Sequence, residues 1–509
     1  MLKGREKQIV DERIRKINEL EENGINPFPY SFKRTTNCKE LQEKYKDLKA
    51  ETVTKDEVKV AGRLMSKRDL GKISFAKLQD EGAFIQIVSQ DGETDEETRA
   101  LFKKYAVAGD FVGVTGIVMR SNRGELSILI KKVEILSKAV YPLPDEHYGL
   151  KDKEERYRKR YLDLIMNQDV KEIFKVRSEI IRRIREFMHE RGYMEVETPT
   201  LQPQHGGASA KPFKTHINAW DMPMYLSIAP ELYLKRLIVG GFEKVYTICK
   251  NFRNEGVDHS HNPEFTMLEA YEAYADYNDM MKLIEDCWEY VALKVLGTTK
   301  IKRNVEGKVV EIDLKAPWPR KTTAEIIKEY TKLDVDKSSV EELKDFCKKN
   351  KIEVGENPTW GKCVEEILGE MVEHKVISPV HVYDRPKEGT PLCKRKRGDD
   401  RLNEQCEPIG AGMELGNMYS ELNDPIKQEA AFDEQLKQKE SGDEEAHEKD
   451  EDFLDSLRQG MPPTGGIGWG IDRMIILMTG AESIRDIILF PTMKPEGMID
   501  KEENGKKKK

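Results

Sequence analysis

Residues 243–273, EKVYTICKNFRNEGVDHSHNPEFTMLEAYEA, decide how the chain is to be read. Two segments of alternating character flank a polar loop. The two-residue period of a strand puts Cys249, Asn251, Arg253 and Glu255 on one face and Phe265, Met267, Glu269 and Tyr271 on another. Together the two faces are expected to line one site. A surface mixing Phe265 and Met267 with Glu269 desolvates a carboxylate, which is costly unless a cation or hydrogen-bond donors meet it. A cationic ligand would do so. The loop adds Asp258, His259, His261 and Asn262, polar groups able to contact phosphate, and Arg253 carries a planar fork suited to an oxyanion. The same pattern also suits a plain hairpin closed by an Arg–Glu ion pair.

Working outward, 509 residues are enough for two to four domains with ample core. Charged residues make up 35 % of the chain, yet the balance is only −8, so contact with nucleic acid has to come from local patches. Seven Cys are scattered with no CxxC pair, and no HExxH or Cys/His cluster of zinc spacing occurs. They read as reduced thiols. The start MLKGREKQIVDERIRKINEL has no apolar signal core, and no run of about 18 apolar residues exists to cross a membrane. A cytoplasmic location is the expectation.

Residues 5–23 read as a charged, peripheral helix with Ile9, Ile14, Ile17 and Leu20 on one stripe, ended by Asn23-Gly24. From Glu57 to Leu136 five alternating segments follow: VKVAGRLMS, KISFAKLQD, AFIQIVSQ, FVGVTGIVMR and LSILIKKVEIL. Count and length predict an OB-fold barrel, whose open face is a common oligonucleotide platform. Arg68, Lys72, Phe75 and Gln86 would decorate that face, unless Phe75 belongs to the barrel core. Pro-rich YPLPDEHYGL then marks a linker. The expected division is a helical extension over 1–55, the barrel over 56–142, a linker over 143–168 and a second domain over 169–509 with a helical insertion at about 275–375.

The second domain opens on an amphipathic helix from about Asp169 to Arg191, with Ile173, Val176, Ile180, Ile184 and Phe187 at three- and four-residue spacing. It suits a dimer interface as well as a core. In QHGGASAKPFKT, Gly206 and Gly207 let backbone approach a ligand or simply make a turn. APELYLKRLIVGG predicts a helix from about Pro230 to Val239, where Glu231 meets the N-terminal dipole as a capping residue would. Residues 275–296 and 323–350 read as packing helices. KRKRGDDR at 394–401 is expected to be a solvated loop or a tRNA-backbone patch rather than a nuclear signal, and 434–458, around Ser441-Gly442, a solvated helical hairpin.

Two further stretches carry chemistry. In GMELGNMYSELNDP a strand would send Asn417, Tyr419 and Glu421 to one side, a second inward carboxylate, and Glu407 and Glu414 would together hold Mg²⁺, which prefers carboxylate and water, if their strands bring them together, or else be two surface carboxylates. In PPTGGIGWGIDRMIILMTG a Gly-rich strand runs into a helix near Ile471, with Asp472 and Arg473 at its start, a place where backbone and guanidinium can bind a nucleotide.

The long helix ending in the Pro199 strand, FRNEG with HNPEF, and GIGWGIDR fall in the order of the signature motifs of the class II aminoacyl-tRNA synthetases. GGASAKPFKT, APELY and NMYSELNDP resemble the lysyl-tRNA synthetases in particular. The resemblance spans nearly the whole chain. It implies an α+β fold: an OB-fold anticodon-binding domain, then a catalytic domain of antiparallel sheet flanked by helices, working as a homodimer without a membrane partner. It implies lysine, ATP and lysine tRNA as substrates, and Mg²⁺ as cofactor. Arg253, Glu255 and Arg473 would be the catalytic residues, with His261, Asn262, Phe265, Glu414, Leu415, Gly470 and Asp472 joining them around ATP. Gly207, Glu231, Arg253, Glu269, Tyr271, Asn417, Tyr419 and Glu421 would surround lysine, Glu407 and Glu414 would ligate the metal, and Arg68, Phe75 and Gln86 would read the anticodon. The segment EHKVISPVHVYDRPKEGTPLCKRKR departs from the family pattern, and CEPIGAGME lacks its usual aromatic. One rival is a catalytically idle tRNA-binding or scaffold protein on the same fold, against which intact Arg253, Glu255 and Arg473 argue. Another is an enzyme that lysylates a protein such as elongation factor P, whose relatives lack the barrel expected here.

Overall fold

Alternation from Thr52 onward sends Val58, Val60, Leu64, Leu78, Ile85, Ile87, Val112, Val114 and Ile128 inward, and these residues form one apolar cluster. Five strands enclose it: β1 (Thr52–Asp69), β2 (Ile73–Asp80), β3 (Ala83–Gln90), β4 (Phe111–Arg120) and β5 (Leu126–Ser137). They close in the order β1-β2-β3-β5-β4, antiparallel except for β3 against β5. Closure leaves no free edge for another strand to pair with. The computed structural model describes residues 4–144, 150–305, 308–355, 357–440 and 449–496. It divides into two compact units, residues 1–171 and 172–509.

Within the first unit the N-terminal helix Gly4–Glu22 buries Val10, Arg13 and Leu20, while Ile14 is 43 % exposed. Of the expected stripe, Leu20 is buried and Ile9 and Ile17 are half-buried, whereas Ile14 turns outward and Val10 and Arg13 are buried beside them. The reason is Arg13, whose guanidinium donates to the carbonyls of Ala108, Ala139 and Tyr141 and fixes the helix's rotation. Nearby, Asp110 is fully buried. It pairs with Lys138 and accepts from the N–H groups of Val107 (2.8 Å) and Ala139 (2.9 Å).

The second unit is built on a ten-stranded sheet. Its path runs Arg320–Thr322, Val380–Pro386, Asp399–Gly410, Asn417–Ser420, Thr464–Gly470, Glu264–Ala273, Lys244–Phe252 and Met194–Glu195, with two short strands paired to Asp399–Gly410. Neighbours along the path are antiparallel except the first and last pairs. One face carries the main core. The helix Gln168–Glu190 contributes Ile180, Ile184, Phe187 and Met188 to it, Tyr277–Leu296 contributes Met280, Ile284 and Trp288, and Ile471–Thr479 contributes Met474 and Ile475. The stripe of the first of these helices is thus packed within the chain.

The expected helix over 323–350 is two helices, Thr323–Thr331 and Val340–Asn350. Lys332 takes a left-handed φ of 67°, and Ser339 starts the second helix with a capping box, so local end signals override the continuous apolar pattern. KRKRGDDR is an exposed strand-and-turn segment, not an irregular loop: Arg395–Lys396 is a strand, Lys396 pairs with buried Asp384, Arg397 with Asp276 and Glu404, and Arg401 with Asp399. The hairpin expected at 434–458 begins in helix Pro425–Glu440 and ends in helix Glu451–Arg458, which buries Phe453, Leu454 and Leu457. Ser441-Gly442 lies outside the described residues. No described helix is long and apolar enough to cross a membrane.

Removing Asp110 strands a buried ammonium and two backbone donors. Asp110→Ala is therefore expected to lower unfolding free energy by about 3–5 kcal/mol in a urea titration, and a loss below about 1 kcal/mol would show the pair to be dispensable.

Candidate active site

The other face of the sheet forms a cavity of about 360 Å³. Its floor follows from register. On Glu264–Ala273 the residues Phe265, Met267, Glu269 and Tyr271 face the cavity, while Leu268 and Ala270 enter the core. The neighbouring strand, TGGIGWG, alternates in step: Ile467 and Trp469 enter the core, whereas Gly466, Gly468 and Gly470 stand opposite Tyr271, Glu269 and Met267. On its far side Gly468 pairs with Asn417 and Gly466 with Tyr419. Each of these glycines leaves room that the flanking side chains use. A Cβ on Gly466 would come within 1.9 Å of a Glu421 carboxylate oxygen and 2.5 Å of the Tyr271 ring.

Three acids lie in this floor. Glu231, Glu269 and Glu421 are 5 %, 4 % and 0 % exposed. Opposite them stand Arg253 and a residue missed from the sequence, Lys235, whose side chain is fully buried. Lys235 Nζ lies 2.6 Å from Glu231 and 2.5 Å from Glu421. Glu231 is thus one arm of an internal ion pair, and its expected capping role gives way. The signal was present as a Glu–Lys pair four apart on Glu231–Val239, the spacing of one helix face. Glu421, expected as an unanswered carboxylate, already has a cation. Glu269 accepts a hydrogen bond from the Tyr271 hydroxyl at 3.2 Å and makes no ion pair with a described residue.

The titration of these groups follows from burial. Desolvation, reinforced by Glu231, pushes Glu269 well above the usual carboxylate range, and Arg253 offsets only part of that. Burial also raises Glu421 to about 8 despite Lys235. Three carboxylates against two cations leave one surplus negative charge (3 − 2 = 1) when all are ionised. A cationic ligand, or a proton on Glu269, removes it.

At the cavity mouth Arg253 holds its guanidinium 5.1 Å from the Phe265 ring centroid, a cation–π contact. It makes no ion pair with a described residue, and its Nε is buried without a partner. Asn262 is also buried, and its Oδ1 likewise lacks a partner. Glu255 and His261 are exposed on the rim, where His261 pairs with Asp258 at 2.9 Å and draws it down to about 2. Arg473 donates to the Glu414 carbonyl (2.7 Å) and carboxylate (3.1 Å). Gly207 lines the opposite wall with φ +86°, its Cα so close to Glu231 that a Cβ would stand 3.0 Å from that side chain.

Most expected site residues thus share one cavity: Gly207, Glu231, Arg253, Glu255, His261, Asn262, Phe265, Glu269 and Tyr271 from the first part, and Glu414, Asn417, Tyr419, Glu421, Gly470, Asp472 and Arg473 from the second. Three stand differently from the expectation. Leu415 is fully buried in the main core and does not line the cavity. Asp472 reaches the wall, but its oxygens accept from Arg177 (2.6 Å) and the Thr266 N–H (2.7 Å), which ties helix to strand. Glu407 lies behind the wall, paired with Arg385 at 2.9 Å. Burial raises it to about 8, Arg385 counters this, and Glu414 adds repulsion. Cys249 and Asn251 stand opposite Met267 and Phe265 but do not line the cavity.

On the barrel, cross-strand pairing of Arg68 with Phe75, Phe75 with Val88 and Lys77 with Gln86 sets Arg68, Phe75 and Gln86 on one outer face. Phe75 is half-buried and outside the barrel core. Gln86 donates to the Ser127 hydroxyl at 2.8 Å.

Known proteins place this arrangement. The family described as tRNA synthetases class II (D, K and N) matches residues 152–494, and the OB-fold nucleic acid binding domain matches 58–136. The chain belongs to the class II tRNA synthetases of that group. Among its relatives, a protein of Clostridium novyi named lysine–tRNA ligase is 49 % identical over 492 residues, covering 96 % of this chain and 94 % of its own. Proteins of the same name from Bacillus subtilis and Clostridium kluyveri are 47 % and 49 % identical, covering 94 % and 96 % of this chain and 96 % of each relative.

A buried acid with a raised pKa costs stability wherever the unfolded chain would ionise it. Unfolded Glu ionises in its ordinary range while folded Glu269 keeps its proton, so in the empty protein stability falls as pH rises from that ordinary range up to the folded pKa and levels off above it. Glu269→Gln is accordingly expected to gain melting temperature over the wild type as pH rises, with a clearly larger difference at pH 8 than at pH 4. Equal differences at the two pH values would overturn the assignment.

Proposed function

We propose that the protein is a lysine–tRNA ligase: it activates lysine with ATP to lysyl-adenylate and transfers the lysyl group to the 3′ end of lysine tRNA. The charge count of the cavity carries this reading. Free lysine brings two ammonium groups and one carboxylate, net +1, and so balances the one surplus negative charge of the floor. Glu269, Tyr271 and Glu421 then receive the ε-ammonium, and Gly207 and Glu231 the α-ammonium. Asn417 and Tyr419 complete the contacts, with Asn417 at the lysine carboxylate. An aspartate or asparagine side chain would bring no positive charge and leave Glu269 unpaired.

The unpaired guanidinium of Arg253 is free to hold the lysine carboxylate against the α-phosphate, while Phe265, His261, Asn262 and Glu255 bound the adenine and ribose and Arg473 takes the γ-phosphate end. Attack of the carboxylate oxygen on the α-phosphorus forms one P–O bond as the bond to pyrophosphate breaks. The terminal ribose hydroxyl of tRNA then attacks the adenylate carbonyl and AMP leaves. Positioning and neutralisation of phosphate charge are what the residues supply. Glu407 and Glu414 would hold a hard cation: burial and the neighbouring Glu414 charge raise Glu407, and a bound cation would relieve both. Mg²⁺ held there would add charge neutralisation at the phosphates. The barrel face with Arg68, Phe75 and Gln86 reads the anticodon, and the working form is a homodimer.

ATP–pyrophosphate exchange with each of the twenty amino acids tests the first half. Lysine is expected to exceed aspartate and asparagine in kcat/KM by about three orders of magnitude or more, and equal stimulation by either would overturn the reading. For the barrel, Phe75→Ala is expected to weaken tRNA binding by about 1–3 kcal/mol, since single-stranded bases stack on such platforms, with lysine-dependent exchange intact. Full retention of discrimination against a tRNA with an altered central anticodon base would remove Phe75 from that role.

A further inference from the structure

A lysine is seldom fully buried unless paired, and Lys235 is paired twice. Its Nζ touches Glu231 at 2.6 Å and Glu421 at 2.5 Å, from a position outside the residues that line the cavity. We propose that Lys235 is a positioning residue of the lysine pocket: its ammonium, clamped between Glu231 and Glu421, fixes where both carboxylates point and leaves Glu269 as the one floor acid without a protein cation. The proposal rests on the functional reading above and adds to it a specificity device that itself touches no substrate.

The surroundings explain why the clamp is needed. Burial alone would lower the lysine's affinity for its proton, but Glu231 and Glu421 outweigh it and hold the ammonium charged. Around Glu421, Lys394 adds a more distant positive charge and Cys393, a neighbour through an isolated bridge, is a thiol raised well above its ordinary range by burial. Tyr271 and Tyr419 are likewise raised by burial and stay neutral, and Arg253 acts on Glu269. Lys235 is therefore the cation in contact with both carboxylates. Without it the floor would carry three acids against one guanidinium. Protons would then fill the places that the substrate's ammonium groups need, and the two carboxylates would lose the common atom that sets their separation.

The test is lysine-dependent ATP–pyrophosphate exchange from pH 6 to 9.5 on the full-length wild type, Lys235→Met and Lys235→Arg. The Met protein is expected to raise the KM for lysine by about a hundredfold at neutral pH. That deficit should shrink as pH rises, with the KM for ATP unchanged. The Arg protein, which keeps the charge, is expected to retain a wild-type pH profile. A Met variant whose loss is the same at every pH, or which loses ATP and lysine affinity alike, would make Lys235 a packing residue only. Should the Met protein fail to fold, the Arg protein decides: an unshifted acidic limb supports the clamp, and a pH-independent fall in kcat overturns it. If the wild type shows no exchange with lysine, the failure belongs to the functional reading instead.

Discussion

Glu231, Glu269 and Glu421 lie out of water on one cavity floor, and like charges so placed repel each other strongly unless cations or protons intervene. Lys235 answers two of them permanently. Glu269 is left to a hydroxyl and a proton. The rest of the second unit is arranged so that this unfavourable cluster persists: a wide sheet with a large apolar core on its other face supplies the stability from which the floor draws. The cavity is thus biased before any ligand arrives, and a compact cation restores the balance.

Room for that ligand comes from backbone. Gly466 and Gly468 occupy the cavity-facing positions of a strand whose alternate residues, Ile467 and Trp469, are core. Any side chain there would collide with Glu421 and Tyr271 or crowd Glu269 and Met267. The same strand runs straight into the helix that carries Arg473, so one short stretch spans the floor and reaches the phosphate end proposed for ATP. The barrel is a different solution within the same chain: apolar residues fill it, and chemistry is confined to an outer face of cation, ring and amide.

Much of this was legible in the chain. The five alternating segments, the GIGWG alternation and the odd-numbered face of 265–271 each follow from a two-residue period, which is local and survives in sequence. The family motifs located about half of the residues that line the cavity. Illegible were the features that depend on partners far along the chain. Lys235 drew no notice in the sequence, because Glu421, nearly two hundred residues away, is brought to it only by the fold. That Asp472, besides lining the cavity, ties helix to strand through Arg177 and Thr266 was not visible in its motif. The basic run 394–401 is exposed as expected, but that Lys396 and Arg397 pair with Asp384, Asp276 and Glu404 was not readable from the run itself.

By itself, then, the sequence determined the barrel, the alternation of the sheet, the membership of the class II synthetases and the cavity-facing side of 265–271, though not of 249–251, because strand period and motif order are properties of neighbours along the chain. Only the tertiary structure decided which of those charges are already neutralised and which remain for a ligand. Pairing depends on distances between strands and helices remote in sequence. In a buried site an ammonium within 3 Å of two carboxylates sets where they point and how much negative charge remains for a ligand.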